Sequence, residues 1–415
     1  MRLAAAALAL ALGLLVWLPG APRAENIVTI GAIFPLAGVS DKSGYDAMAA
    51  IEVAANIVDV PHKGLESLPL GAGRGLPNLG NADLAVAFTY HQGNPSVATS
   101  QVLRLAEQNH VAALIGGGEG PAILAAATEA ERHGVPFLVP DATDPKLNGR
   151  GFGWVFRTTP LAADIDKAYV QFLTQVKAAG TQIDRVVLVA GNDASGSAWA
   201  QALGDALRAA GLAADTVTYA PNGIDLSASV TALRDKHPDA VIFACNAADA
   251  SLFVKTMKTL DYKPPILIGD DSGFSDPGFV AADANLAQGL IDRSVWSIGK
   301  EDSPAAIVNA LYKVKTGHDL DDRSGRVLQG FLVLADAVNR AGSTDPAAIQ
   351  RALRDTDLKP EQLIVGYDGV KFDASGQNTL AATYLTQLQG KQYVTVWPAG
   401  RAAGKLALPY KAWLP

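Results

Sequence analysis

Cysteine is nearly absent from this sequence of 415 residues, in which Cys245 is the only one. A single thiol excludes an internal disulfide, and no cysteine follows the N-terminal apolar run to carry a lipid. Cys245 ends a short apolar stretch, where a lone thiol is more often a small buried hydrophobe than a nucleophile. The sequence therefore favours packing over catalysis at this position.

Motifs for catalysis and metal binding are missing as well. The six histidines show no metal-ligand spacing, and no HExxH motif, GxSxG motif or Walker A lysine occurs. The glycine-rich residues 71–75 lie in a loop rather than between a strand and a helix, which argues against a dinucleotide fingerprint. We therefore expect no enzyme activity, no metal and no cofactor.

Long apolar runs are limited to residues 4–18, which follow Arg2 and lead to small residues ending at Ala24. This pattern predicts a cleaved secretory signal peptide over residues 1–24, although Pro22 stands where a small residue is preferred. A retained membrane anchor is the alternative, but the run is short for a membrane span. We expect a mature protein secreted to the periplasm, without stable membrane insertion.

Positive charge is sparse. Removal of residues 1–24 would leave 32 basic and 41 acidic residues, a formal charge of −9. An acidic surface argues against nucleic-acid and anionic-membrane partners. The remaining chain, about 390 residues, is longer than one comfortable core and predicts two domains.

Residues 111–148 predict a strand, a glycine turn, a helix, a second strand and a polar turn. In this βαβ unit Gly120 is expected to cap the helix and Pro121 to begin it, which leaves backbone N–H groups facing the crevice beyond the strands. Such a turn is a natural seat for a carboxylate. The alternative is a tight turn with no ligand.

The strand and helix alternation begins again after residue 159, which predicts a second α/β lobe. Polar residues recur where predicted strands end, and each alone could be an ordinary cap or turn residue. Together on two sheets, they predict a hinged small-molecule binder with a polar crevice. They are Glu119, Asp141 and Thr143 in the first lobe, and Asn192, Asp193, Ser195, Asn246, Asp270 and Asp271 in the second.

An ordered set of segments then carries a family resemblance, including TIGAIFPLAG, GVPFLVPDATDPKL, FGWVFRTTP and GVKFDASGQNT. Over nearly the whole mature chain the sequence resembles the periplasmic substrate-binding proteins of ABC transporters, in the branch named for branched-chain amino acids. The resemblance implies an α/β fold of two Rossmann-like lobes with parallel central sheets, joined by three crossover strands near residues 157, 294 and 370.

The implied domains are residues 25–157 with 295–369 for the first lobe, residues 158–294 with 370–403 for the second, and a C-terminal tail over 404–415. The implied ligand contacts are Ser43, Tyr45, Gly118, Glu119, Gly120, Asp141, Ala142, Thr143, Ser195, Asn246 and Asp271. In amino-acid binders of this family the first lobe holds the carboxylate and a second-lobe acid meets the ammonium. Thr143 matches one of the hydroxyl residues and Asp271 matches the acid.

Three positions depart from the family pattern. Glu119 stands among residues that are commonly hydroxylic, and a glutamate there would repel a carboxylate by on the order of 1 kcal/mol. Ser195 and Asn246 stand where relatives have aromatic side chains. We therefore expect a polar ligand, including a cationic one, rather than a leucine-type amino acid.

The resemblance implies a monomeric receptor that delivers its ligand to an inner-membrane ABC permease. A sensor that passes the ligand to a regulator without transport is an alternative, and the sequence does not separate the two. A secreted enzyme that pairs Glu119 with Asp141 or Asp271 is a third hypothesis, and it lacks a complete catalytic set.

Overall fold

The computed structural model describes residues 26–36, 42–118, 120–270 and 272–412. The predicted signal peptide, most of the loop after the first strand, Glu119 and Asp271 lie outside the described residues. None of the helices within the described ranges combines the length and apolarity that a membrane span requires.

The first sheet has five parallel strands in the order β2-β1-β3-β4-β5. Its strands are short and apolar, as expected for a parallel sheet that is covered by helices on both faces. The elements in chain order are β1 (Ile27–Phe34), α1 (Lys42–Asp59), β2 (Asp83–Tyr90), α2 (Pro95–Leu103), β3 (Ala113–Gly116), α3 (Pro121–His133), β4 (Phe137–Val139) and β5 (Val155–Arg157).

The second sheet has seven strands in the order β14-β13-β10-β9-β8-β6-β7, of which β13 and β14 are antiparallel to their neighbours. The chain enters it through α4 (Ala162–Ala178), β6 (Arg185–Gly191), α5 (Ala194–Ala209), β7 (Ala213–Tyr219), α6 (Ser227–Asp235) and β8 (Ala240–Phe243). It continues with α7 (Ala247–Thr259), β9 (Ile266–Gly269), α8 (Ser272–Ser275), α9 (Pro277–Asp283) and β10 (Ile291–Arg293).

After β10 the chain returns to the first sheet. The returning elements are α10 (Pro304–Thr316), α11 (Asp322–Ala341), α12 (Pro346–Arg354) and the two-stranded sheet of β11 (Asp357–Leu358) and β12 (Val370–Lys371). The chain then ends on the second sheet with β13 (Leu385–Gln389) and β14 (Gln392–Trp397). The chain thus passes three times between two α/β lobes, and the predicted fold class is confirmed.

Helix α11 is the central helix of the first lobe. Asp321 caps it by accepting a hydrogen bond from the Ser324 N–H at 2.7 Å, and Gly342 ends it with a φ of 57°. Fifteen of its twenty residues are buried, and it packs against α1 and the first sheet. Buried charged side chains need partners, and the first turns of α11 contain two such side chains, Asp322 and Arg326.

The predicted lobe boundaries stay a prediction, but packing favours a later third boundary. Val370 and Phe372 are buried in the core of the first lobe, and β12 pairs with β11 rather than with the second sheet. In the tail, Tyr410 is buried in the core of the second lobe, where its N–H donates to the Pro265 carbonyl at 2.7 Å.

Candidate functional site

The strand ends β3 and β4 place Asp141 against the glycine turn. The Gly118 N–H donates to Asp141 Oδ1 at 3.1 Å, and Asp141 is only 3% exposed. A Cβ atom on Gly117 would lie 2.4 Å from the same oxygen, so this close approach requires glycine. The predicted anion seat is therefore partly occupied by a carboxylate of the protein itself.

His91, at the end of β2, fixes the other side of this turn. Its Nε2 lies 2.9 Å from the Gly117 carbonyl oxygen, while its Nδ1 accepts the Gly93 N–H at 3.0 Å. These partners assign the proton to Nε2, because Nδ1 acts as an acceptor. The imidazole is buried and supports the turn from behind.

Gly120, Ala142 and Thr143 complete the first-lobe edge. Gly120 is the N-cap of α3 with a φ of 82°, and a Cβ atom there would meet nothing within 4 Å. Ala142 is fully buried, and the Thr143 carbonyl accepts the Ala162 N–H at 3.3 Å. Because Ala162 begins α4, the predicted ligand segment touches the second lobe directly.

Two arginines of α11 reach the Asp141 segment. Arg323 Nε lies 3.6 Å from Asp141 Oδ2. Arg326 Nη1 donates to the Asp141 carbonyl oxygen at 3.2 Å and to Thr159 Oγ1 at 3.1 Å. Arg326 Nε also lies 3.0 Å from Asp322 Oδ2.

On the second lobe Arg293 lies between two aspartates. Its Nε donates to the Asp270 carbonyl at 2.9 Å, and its Nη1 lies 4.0 Å from Asp322 Oδ2. The Tyr169 hydroxyl donates to Asp270 Oδ1 at 2.6 Å, and burial together with the Asp270 charge raises the pKa of Tyr169 well above its ordinary value. Tyr169 is therefore a neutral donor that holds the Asp270 carboxylate.

Asp166 is a half-buried carboxyl one turn before Tyr169 on α4. Burial, aided by the nearby Asp270 charge, raises the pKa of Asp166 to about 7. Two acids thus stand together at this end of the second sheet, and a cation near them would favour the ionised form of Asp166.

The two lobes also meet through Lys42, the first residue of α1. Its Nζ lies 2.9 Å from Asp276 Oδ2, on the N-cap residue of α9 in the second lobe. Asp276 Oδ1 meanwhile accepts the Gly278 N–H at 2.7 Å. The helix cap therefore holds the carboxylate in place for the lysine.

Other predicted ligand residues lie on or next to α1, α5 and α7. Ser43 is half-buried in the first turn of α1, and Tyr45 borders an open cavity of about 500 Å³ together with Lys42, Lys315 and His318. Ser195 is exposed on the first turn of α5.

Asn246 caps α7, with its Oδ1 accepting the Asp249 N–H at 2.9 Å and its Nδ2 donating to Asp249 Oδ2 at 2.8 Å. Its amide is thus engaged by the helix cap. The ligand roles of Ser43, Tyr45, Ser195 and Asn246 stay predictions, as do those of Glu119 and Asp271 outside the described residues.

Sequence reasoning missed Lys42, His91, Arg293 and the α11 pair Asp322 and Arg326. A local signal existed for the last two, because an acid and an arginine four residues apart inside an apolar helix form a buried pair. The other contacts join residues far apart in the chain and leave no such signal.

Among the residues that the structure describes, no group of three or more histidine, cysteine, aspartate or glutamate side chains could hold a metal ion. The arrangement is instead a cluster of carboxylates and guanidinium groups at the ends of parallel strands, where the two lobes meet. That is the usual place for a small ligand in α/β folds.

Comparisons with known proteins agree with this architecture. The chain is 27% identical over 394 residues to the Leu/Ile/Val-binding protein homolog 8 of Brucella abortus, covering 91% of this chain and 92% of that protein. Its fold is similar, with a TM-score of 0.72 and 20% identity, to the branched-chain amino acid transporter substrate binding protein LivJ of Streptococcus pneumoniae in complex with isoleucine, covering 92% of this chain and 100% of that one.

A solute binding protein of Rhodopseudomonas palustris in complex with 3,4-dihydroxy benzoic acid matches with a TM-score of 0.68 and 18% identity, covering 89% of this chain and 96% of that one. The family model described as periplasmic binding protein matches residues 27–392. The chain therefore belongs to the periplasmic binding protein family.

Proposed function

We propose that this protein is a solute receptor that closes its two lobes on a small polar molecule and delivers it to an inner-membrane ABC permease. The observation that carries the proposal is that residues next to the strand ends of both sheets are linked where the two lobes meet. Lys42 bridges the lobes to Asp276, and Thr143 bridges them to Ala162. Hinged lobes around a crevice suit capture and release of a solute rather than catalysis.

The charges at the crevice favour a ligand that carries an amine. Asp141 already accepts the Gly118 N–H, so an incoming carboxylate would have to displace it or meet repulsion. On the second lobe Asp166 is a half-buried acid near Asp270, whose carboxylate accepts the Tyr169 hydroxyl, and the predicted acid Asp271 follows Asp270 in the sequence. A cationic or polar amino compound fits this set better than an aromatic acid or a branched-chain amino acid does.

A solute panel tests the proposal. L-isoleucine, L-glutamine, L-arginine, putrescine and benzoate would each be titrated into the purified protein by thermal shift. Ligand at about 100 times Kd should add roughly 2.7 kcal/mol of stability. The proposal expects an amine-bearing member to give the largest shift, and an absence of any shift at millimolar concentration would count heavily against it.

The same fold can serve a transport receptor or a sensor. We infer transport, with a monomer as the working form and no catalytic step. Loss of uptake of the identified solute when the gene is deleted would support delivery to a permease. Normal uptake with a lost transcriptional response would support the sensor instead.

A further inference from the structure

Arg326 occupies an unusual place, on the buried side of α11 and 6% exposed. We propose that Arg326 and Asp322 are positioning residues for ligand binding, which hold the predicted ligand segment of residues 141–143 in register with the second lobe. This inference rests on the proposed function, because it assigns the residues that set the geometry of that crevice.

Arg326 joins helix α11 to two other segments of the chain through one planar guanidinium group. Nη1 donates to the Asp141 carbonyl at 3.2 Å and to Thr159 Oγ1 at 3.1 Å, while Nε bonds to Asp322 Oδ2 at 3.0 Å. Asp141 begins the predicted ligand segment, and Thr159 lies on the first passage between the lobes. The fixed fork of an arginine sets the directions of these contacts, which a lysine could not do.

Asp322 extends the contacts to the second passage between the lobes. Its Oδ1 accepts the Val295 N–H at 2.7 Å and the Ser294 hydroxyl at 3.1 Å. Burial alone would raise the pKa of Asp322, but the positive charges of Arg326 and Arg293 and these hydrogen bonds hold it below its ordinary value. Asp322 is therefore an anion that ties α11 to the segment leaving β10.

Arg293 completes the chain of charges. It lies 4.0 Å from Asp322 through Nη1 and donates from Nε to the Asp270 carbonyl at 2.9 Å. A continuous path thus runs from Asp141 in the first lobe through Arg326, Asp322 and Arg293 to Asp270 in the second. Asp270 directly follows β9, and Asp141 follows β4 after one intervening residue, Pro140.

The energetics favour a geometric role over a purely stabilising one. A buried ion pair is often replaced by well-packed apolar residues at no cost or with a gain, because desolvation offsets the attraction between the charges. An apolar pair at positions 322 and 326 would therefore cost little stability. What it could not do is orient the Asp141 carbonyl and the two passages together.

Helix α11 supplies a matched control in Arg340. It pairs with Asp336 four residues earlier at 2.7 Å and donates to the Ala352 carbonyl at 2.7 Å and to Thr356 Oγ1 at 2.8 Å. This is the same kind of fork on the same helix, but every partner lies in the first lobe. Arg340→Lys therefore reproduces the loss of an arginine fork without the path between the lobes.

The test is hydrogen–deuterium exchange of the ligand-free full-length protein and of its Arg326→Lys and Arg340→Lys variants. Arg326→Lys should speed exchange by about ten-fold or more in residues 141–148 and also in residues 266–270 of the second lobe. Arg340→Lys should speed exchange only around residues 352–356. Faster exchange confined to the first lobe in Arg326→Lys, or an equal second-lobe effect from Arg340→Lys, would overturn the proposal.

The second test is a measurement of ligand affinity. It uses whichever of L-glutamine, L-arginine and putrescine binds the wild type most tightly. Arg326→Lys should weaken it by about ten- to a hundred-fold, mainly through faster dissociation, and Arg340→Lys should leave it within about two-fold. Unchanged affinity in Arg326→Lys would overturn the proposal. If no solute binds the wild type, the proposed function fails while the exchange arm still decides the inter-lobe path.

A milder variant keeps the test valid if Arg326→Lys folds poorly. Ser294→Ala removes the hydroxyl that donates to Asp322 and accepts the Trp296 N–H, and it leaves all charges in place. It should show the same two-lobe pattern of faster exchange at smaller amplitude. A purely local change around residue 294 would contradict the path.

Discussion

Lys42 Nζ lies 2.9 Å from Asp276 Oδ2, although 234 positions separate the two residues and they belong to different lobes. A lysine at the first position of a helix opposes the helix dipole, so its placement there needs a compensating partner. Burial alone would lower the pKa of Lys42, but the hydrogen bond and charge of Asp276 outweigh it and raise the pKa. The pair is a charged contact that exists only while the lobes are together.

Lys42→Gln should therefore weaken ligand binding by favouring the open form. Because Lys42 is partly exposed, the loss should be modest, up to about five-fold in Kd, and smaller at high salt. Calorimetric titration at two salt concentrations measures it. Lys315→Gln is the matched control, since Lys315 pairs with Glu52 at 2.6 Å within the first lobe. Equal losses of ligand affinity in both variants would show that the effect comes from net surface charge and not from the contact between Lys42 and Asp276.

Asp141→Ala should change the preferred charge of the ligand. It would free the Gly118 N–H and remove the carboxylate beside Arg323, so both could meet an anion. Benzoate binding should strengthen and L-arginine binding should weaken, each by about ten-fold for a gained or lost charge-assisted contact. Thermal shifts with both solutes test this prediction. If binding of the two solutes strengthens together or weakens together, Asp141 affects the stability of the fold rather than the charge preference of the site.

The pH dependence of stability should report Asp166. Its folded pKa is about 7, above the ordinary value of 3.8, so between those values the folded protein holds a proton that the unfolded chain has lost. Stability from this group therefore falls as pH rises from about 4 to about 7 and is level above that.

Asp166→Asn should remove that contribution. The Tm of the variant minus the Tm of the wild type should be near zero at pH 4 and should reach a positive maximum above pH 7. Comparing the two proteins cancels other groups, including Asp59, whose pKa burial raises to about 6. A difference that does not vary with pH would contradict the assignment.

Gly117→Ala should test how tightly the turn is packed. The new Cβ would lie 2.4 Å from Asp141 Oδ1 and 2.6 Å from Phe34 Cε1, so both must move. Such overpacking costs about 1–3 kcal/mol and should also displace the Asp141 carboxylate. Urea unfolding measures the loss, and Gly120→Ala is a useful comparison because a Cβ there meets nothing within 4 Å. Gly120 has a φ of 82°, so its variant should show backbone strain alone.

Local patterns predicted the fold well. The βαβ unit around residues 111–148 was predicted because short apolar runs, Gly120 with Pro121, and Gly134 each carry a local signal, and the structure places β3, α3 and β4 there. Hydrophobic periodicity and helix caps depend on residues that are close together in the chain, so they can be recognised in a single sequence.

The site was harder to predict because its contacts are not local. Arg326 meets Asp141 across 185 positions, and no periodicity marks such a pair. Asn246 illustrates the opposite difficulty, since a polar residue at a strand end is also a helix N-cap, and here its amide serves the cap. Polar residues at predicted strand ends therefore indicated where the lobes meet. The charged residues that contact them could be identified only from the structure.

Calorimetric titration of the purified protein with the solute panel tests the central claim most directly. The account predicts one-to-one binding of an amine-bearing polar solute with a Kd at or below about 10 μM, equivalent to roughly 7 kcal/mol. It also predicts that Lys42→Gln and Arg326→Lys weaken that binding while Arg340→Lys does not. Tight binding of benzoate or L-isoleucine with no response to the amines would contradict it.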